Sequence, residues 1–249
     1  MTTETIITAI ESLEAKYNIE ILYACESGSR AWGFPSPDSD YDARFIYRHR
    51  KETYLSIGGY EEQIGPFING DLDLNGWDIR KLLRLMANAN STPFEWLQSP
   101  IIYKEQPGFR DSLKPLLEQY FNPRTQINHY LGIATGALKA MPDGFKIKKL
   151  FYVLRPILAA KWIAVYNVYP PMQIQPMLEL LSEDLQCIIL KLINDKAKMN
   201  EGAQVYCDSV IQEFIEEEMR ALRDYSNNLR HLPAADLQYA DTYFLNNIQ

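Results

Sequence analysis

The chain has 249 residues and carries 25 Lys and Arg against 32 Asp and Glu, a formal net charge of −7, which excludes a histone-like or generally basic nucleic-acid binder. Its 47% hydrophobic, 23% charged and 12% aromatic residues match an ordinary globular composition and exclude a disordered, collagenous or low-complexity chain. At this length two domains are expected, since domains cluster at about 100 to 150 residues.

In chain order, the first predicted element is a helix over residues 4–17. Ile6, Ile7, Ile10, Leu13 and Tyr17 recur at helical spacing, with Glu4, Glu11, Glu14 and Lys16 on the other face. Residues 19–25 are short and β-rich and run into Ser27-Gly28-Ser29, and residues 41–47 form a second such run after a Pro/Ser/Asp loop. Residues 60–68 and 71–74 read as further strands, and a helical pattern starts near Trp77 with Ile79, Leu82, Leu83, Leu85 and Met86. Thr92-Pro93-Phe94-Glu95 is a capping-box sequence with proline at the first helical position. Beyond about residue 105 helix starts such as Asn122-Pro123 and Ser182-Glu183-Asp184 take over, and Pro156 inside the apolar segment 150–166 predicts a kink or break. The expected fold class is α+β, with a mixed β-sheet in residues 1–105 and an all-helical lobe over residues 106–249 packed against it across a cleft.

Cys25, Cys187 and Cys207 are odd in number and widely spaced, and the only histidines are His49, His129 and His231, so no disulfide framework or zinc site is readable. The N-terminus lacks a basic stretch before an apolar run, and no apolar run approaches the roughly 20 residues of a membrane span. The expectation is a soluble, cytoplasmic protein with no membrane partner.

The informative segment runs from Gly28 to Asp42 and has the form Gly-Ser, ten residues, Asp-x-Asp. Asp40 and Asp42, two apart at the start of a strand, leave the same face of the sheet. Two carboxylates so placed can share hard cations, and two Mg²⁺ ions are the usual clamp on the attacking and leaving oxygens of an in-line phosphoryl or nucleotidyl displacement. Gly28-Ser29, opening a helical turn after a strand, offers backbone N–H groups and a hydroxyl to triphosphate oxygens. Each piece alone is what an ordinary turn or strand start shows. Together, four fixed residues at fixed separations arise by chance in about one chain of this length in a few hundred.

Such a site needs a third acid beside the attacking hydroxyl. Asp73 is the first choice, with Asp71 on the same strand face and Asp78, an ordinary first-turn helix carboxylate, as the alternatives. Arg30 and Arg44 lie close enough in sequence to bind phosphate bidentately, and surface ion pairing would suit either equally well. Lys139, Lys146, Lys148, Lys149, Arg155 and Lys161 stand against the single acid Asp143, a basic stretch that would bind phosphate if it faces the cleft and that is otherwise the solvated side of a helix. Lys149 and Arg155 are the expected nucleotide contacts. The Arg124-x4-His129 spacing recurs too readily by chance to carry an assignment.

Gly28-Ser29-Arg30, Ser39-Asp40-Tyr41-Asp42-Ala43-Arg44 and the stretch from Asp73 through Trp77-Asp78 to Lys81 resemble the DNA polymerase beta-like nucleotidyltransferase superfamily, and within it the RNA-repair-associated (YcgL-like) group. The likeness continues through residues 90–97, similar to that group's Asn-Pro-x-x-x-Glu-x-Leu segment with Ser91-Thr92 where one residue usually stands, and through Lys148-Lys149 and Leu154-Arg155. It covers most of residues 20–165 and leaves the last 80 unrecognised. It implies a nucleotidyltransferase palm with two Mg²⁺ (or Mn²⁺) ions on Asp40, Asp42 and Asp73, Gly28 and Ser29 on the triphosphate of an NTP such as ATP, and release of pyrophosphate. The acceptors it implies range from RNA ends, which are favoured, to protein hydroxyls and small molecules. A catalytically silent nucleotide-binding or antitoxin-like module on the same fold is the alternative, and a metal-dependent phosphohydrolase a third.

Overall fold

Thr2 starts the first helix by accepting the Thr5 N–H on its hydroxyl, and Asn18 ends it in the left-handed region at φ 51°. The computed structural model describes residues 1–140, 145–205, 208–233 and 235–248; Asp143 and Cys207 lie outside the described residues. In chain order the elements are α1 (Thr3–Tyr17), β1 (Ile19–Ser27), α2 (Gly28–Trp32), β2 (Tyr41–His49), α3 (Lys51–Leu55), β3 (Gln63–Asn69), β4 (Leu72–Asp78), α4 (Ile79–Ala87), α5 (Ser91–Trp96), β5 (Ile102–Glu105) and α6 (Phe109–Tyr120). There follow α7 (Pro123–Lys139), β6 (Phe145–Lys146), α8 (Ile147–Tyr166), a 3-10 turn (Gln175–Leu180), α9 (Glu183–Lys196), β7 (Gln204–Val205), α10 (Ser209–Asn228) and α11 (Gln238–Asn247). No helix among the described residues is long and apolar enough to cross a membrane.

The fold class is α+β. The five-stranded sheet has the order β3-β4-β2-β1-β5, and it is mixed because β2 and β4 are parallel while every other pair is antiparallel. The strand predicted over 71–74 is longer than its apolar signal. It extends through Asp78, which is also the N-cap of the helix that starts at Ile79. The short β5 has no alternating pattern long enough to announce it, and it forms by pairing with β1.

The chain divides into two units: Met1–Ala31, Asp40–Tyr120 and Ala234–Gln249 in one, Trp32–Ser39 and Phe121–Pro233 in the other. This division differs from a break at 105/106. Helix α6 stays with the sheet because it packs on α4. The C-terminal α11 also returns to the first unit: it packs on α4, the Tyr120 hydroxyl donates to Asp236 O at 2.9 Å and accepts from Ala240 N at 3.0 Å, and Ser112 and Tyr243 share a 2.7 Å hydroxyl bond.

In the first unit α1 lays Ile6, Ile10 and Leu13 against Ile21, Ala24, Ala43, Phe45, Tyr47, Leu72 and Leu74. With alternate residues of β2 and β4 turned into that core, Asp42, Arg44, Asp73 and Asn75 leave the opposite face. In the second unit α8 is the centre: Leu150, Phe151, Leu154, Ile157, Leu158 and Ile163 are buried among α7, α10 and the 3-10 turn. The break expected at Pro156 is absent, and α8 runs unbroken from Ile147 to Tyr166 with Pro156 inside it. One lost backbone hydrogen bond is outweighed by apolar burial around nearly the whole helix circumference.

Gly76 shows how tightly β4 sits on β2, since a Cβ there would overlap the ring of Phe45, itself fully buried and with no room to yield. Gly76→Ala is expected to lower the free energy of unfolding by about 1–3 kcal/mol, the usual range for overpacking a filled core, read as a lower midpoint in denaturant titration.

Candidate active site

The segment that carries the motif starts at the end of β1, where Gly28 turns the chain into α2 at φ 62°, a left-handed conformation that only glycine adopts without cost. Space also requires glycine here, because a Cβ would overlap Oδ2 of Asp42. The Gly-Ser turn and the second aspartate of the motif are therefore packed against each other. Ser29 is 7% exposed.

Parallel pairing of β2 with β4 puts Asp42 opposite Asp73 and Arg44 opposite Asn75. The two carboxylates stand on neighbouring strands about 4.8 Å apart and would repel. Arg44 relieves this: its Nη2 donates to Asp42 Oδ1 and to Asp73 Oδ2, each at 2.9 Å, and its Nη1 donates to the backbone oxygens of Asp73 at 3.0 Å and Ala43 at 3.2 Å. Arg44, expected at the nucleotide, spends these donors on the two acids. One guanidinium between two carboxylates leaves a net charge of −1. The Asp42 and Asp73 side chains are 27% and 29% exposed, while Asp73 Oδ1 is buried with no hydrogen-bond partner among the described residues. The oxygens that converge do so on Arg44; the residual negative charge and the unpartnered Asp73 oxygen are hard-donor chemistry of the kind a divalent cation takes.

Asp40 lies one residue before β2 and is exposed. Its backbone oxygen accepts from Arg30 Nε at 3.1 Å, and the Arg30 guanidinium stacks on the Tyr41 ring at 3.8 Å. Among the described residues no group of three or more His, Cys, Asp or Glu side chains could hold a metal ion, so the site is a carboxylate pair with Asp40 at its margin rather than three gathered acids. Of the alternatives for the third acid, Asp71 is exposed in the turn before β4. Asp78 is fully buried, caps α4 by accepting the Arg80 N–H at 2.8 Å and accepts the Tyr54 hydroxyl at 2.7 Å. Asp78 is structural.

Two residues of this region escape a sequence reading. Glu26 is fully buried, accepts the Asp42 N–H at 2.8 Å on Oε1 and accepts the Tyr103 hydroxyl on Oε2. Burial holds its carboxyl above the usual carboxylate range, against the opposing pull of those two hydrogen bonds. A charged residue inside the apolar run of β1, just before Gly-Ser, was the available signal. The other is Asn75, two residues beyond Asp73 on the same face, whose Oδ1 is also buried without a partner among the described residues.

The second-unit residues expected at a nucleotide have other work. Arg155 is 3% exposed, donates from Nε at 3.3 Å and from Nη2 at 3.0 Å to Met172 O, and lies over the Trp32 ring at 4.7 Å. Its expected nucleotide contact is corrected to a role within that unit's core. Lys149 donates to Ala140 O at the C-terminus of α7, where the helix dipole favours a cation. Lys148 pairs with Glu201, and Lys161 with Glu218 at 2.6 Å. The basic stretch is thus partly neutralised by acids remote in sequence. Arg124 Nη1 donates to the backbone oxygens of Asn227 at 3.2 Å and Leu229 at 2.6 Å.

Residues 2–246 match the model of the RNA repair pathway DNA polymerase beta family, which takes in the C-terminal residues that showed no resemblance by motif. An uncharacterized protein of Bacillus subtilis (strain 168), YcgL, is 40% identical over 231 residues, covering 91% of this chain and 89% of the relative. Among solved structures, a nucleotidyltransferase-like protein from Exiguobacterium sibiricum is similar at 11% identity and a TM-score of 0.31, over 89% of this chain and 74% of that one.

Burial raises the Asp78 carboxyl above its ordinary value of 3.8, against the Tyr54 and Arg80 hydrogen bonds. Unfolded, the group ionises at that ordinary value; folded, it keeps its proton to higher pH. The folded state then binds more protons, and this group's contribution to stability falls as pH rises from 3.8 through the folded value. Asp78→Asn keeps an N-cap oxygen and removes the ionisation, so denaturant midpoints of the variant are expected to decline less than those of the wild type across that acidic window.

Proposed function

The chain belongs to the RNA repair pathway DNA polymerase beta family, and from that premise we propose that it is a Mg²⁺-dependent nucleotidyltransferase moving a nucleoside monophosphate from an NTP to a hydroxyl acceptor, with an RNA end as the favoured acceptor. The observation that carries this reading is the pair Asp42–Asp73, set side by side on parallel strands beneath the Gly28-Ser29 turn and joined through Arg44.

In this reading Asp42 and Asp73, with the exposed Asp40 turned in, would hold the cations. Bound there, Mg²⁺ or Mn²⁺ supplies positive charge to the phosphate oxygens and acidifies the attacking hydroxyl. Gly28 and Ser29 hold the triphosphate, close to Asp42 because glycine leaves no Cβ between them. Arg44 keeps the two carboxylates in register and offsets their repulsion, which is preorganisation completed before substrate arrives. Arg30 fixes the backbone of Asp40. Asp73 orients the acceptor hydroxyl and takes its proton on Oδ1 as the new bond forms between the acceptor oxygen and the α-phosphorus. The bond from that phosphorus to the bridging oxygen breaks, and pyrophosphate leaves.

The test is pyrophosphate release from each of the four NTPs with Mg²⁺ and a short RNA, comparing wild type with Asp42→Asn. The amide still accepts from Arg44, so the variant should fold. Activity is expected to fall by at least about 100-fold, the rate equivalent of the several kcal/mol that charge stabilisation of this kind contributes. Unchanged activity in Asp42→Asn would remove the carboxylate pair from the chemistry. Mg²⁺-dependent NTP binding by the wild type with no pyrophosphate from any mixture would leave a nucleotide-binding module instead.

A further inference from the structure

We infer that Asn75 is a specificity-determining residue of the acceptor subsite and that the acceptor it selects ends in a ribose cis-diol; this rests on the nucleotidyltransferase reading and narrows its substrate. Three observations carry it. First, β4 alternates buried and part-exposed positions along Leu72–Asp78, so Asp73 and Asn75 are successive residues of one face, about 6.6 Å apart along the strand. Second, Asp73 Oδ1 and Asn75 Oδ1 are both buried and both without a hydrogen-bond partner among the described residues. Third, the remaining neighbours on that face are already committed, since Arg44, the register partner of Asn75, points its Nη2 at Asp42 Oδ1 and Asp73 Oδ2.

A buried acceptor without a donor is costly, and most such groups in folded proteins are satisfied. Two on successive residues of one strand face, beside the carboxylates that the proposed reaction uses, ask for a ligand with two donors. A single hydroxyl donates one hydrogen bond and leaves one of these oxygens unpaired, which is all that a serine, a tyrosine or a 2′-deoxy nucleotide end can offer. An ammonium has three donors, but while charged it has no lone pair with which to attack phosphorus. A vicinal diol is neutral and presents two donors on adjacent carbons. With the attacking 3′-hydroxyl on Asp73 Oδ1, the 2′-hydroxyl falls to Asn75 Oδ1. No proton or bond changes hands at Asn75, which discriminates by leaving its oxygen unsatisfied when the 2′-hydroxyl is missing.

The experiment compares two short 5′-labelled RNAs of one sequence, one with a terminal 2′,3′-diol and one with a 2′-deoxy terminal nucleotide, as acceptors for wild type, Asn75→Leu and Asn75→Asp. Both kcat/KM for transfer and anisotropy-measured affinity without NTP are read. The wild type is expected to prefer the diol by about 10- to 100-fold, the worth of one hydrogen bond whose loss strands a buried partner. The preference should collapse in Asn75→Leu and persist in Asn75→Asp, which keeps an acceptor oxygen there and guards against a merely unfolded variant. Equal use of both RNAs by the wild type, or a preference untouched in Asn75→Leu, would overturn the inference and leave nucleotidyl transfer standing. Transfer to protein or small-molecule hydroxyls alone would also overturn it. No transfer to any acceptor would remove the parent reading and this one together.

Discussion

The parallel pairing of β2 with β4 is the constraint on which the site depends. It sets residue 42 opposite residue 73 and so places two carboxylates where like charges repel, a strain that an ordinary strand pair avoids. The rest of the region answers that strain. Arg44 stands between the acids, Glu26 holds the Asp42 backbone from the buried side, and Gly28 gives up its Cβ so that the Asp42 carboxylate can lie against the turn. Each of these residues would be an odd choice alone. A buried glutamate, a left-handed glycine and an arginine committed to two acids each cost something, and all three act on the position of Asp42.

A motif that is continuous in sequence is shared between the two units. Gly28-Ser29 and Asp40-x-Asp42 belong to the sheet unit, whereas Trp32–Ser39 between them belongs to the helical unit. That connecting segment is tightly held there. Phe34 stacks on Phe151 at 4.6 Å, Ile174 N donates to Trp32 O at 3.0 Å, and Gln175 Nε2 donates to Gly33 O at 2.9 Å. Ser39 Oγ donates to Glu201 at 2.8 Å, and the fully buried Lys196 donates to Ser36 Oγ at 2.8 Å. Burial pulls the Lys196 ammonium below its usual range. Burying a lysine to hold a loop is expensive, and the chain spends that expense on the segment that ends one residue before Asp40.

Charge counted along the sequence leaves the helical unit open for one physical reason: an ion pair forms through space. The stretch from Lys139 to Lys161 looks like a phosphate surface because its partners Glu201 and Glu218 lie more than 50 residues downstream. Arg155 reads as a ligand contact because the groups it meets, Met172 O and the Trp32 ring, are remote from it in sequence. Local propensity likewise marks Pro156 as a kink or break, since it carries no information about a helix enclosed by other helices.

The sequence by itself determined the fold class and the family. Strand and helix order, the α+β fold and the family were legible because hydrophobic period is local and because Gly-Ser, ten residues, Asp-x-Asp is an unlikely pattern. The sequence ranks Asp73 ahead of Asp71 and Asp78 as the third acid, and in the fold Asp78 caps a helix. Only tertiary structure decided which acids meet: Asp42 and Asp73 are paired by strand register, while Asp40, next to Asp42 in the motif, stays at the margin. Tertiary structure also decided that Arg44 pairs with the two carboxylates, that Arg155 is buried, and that Glu26 and Asn75 lie beside Asp42 and Asp73. These are matters of register, burial and distance between residues far apart in the chain, and no local pattern encodes them.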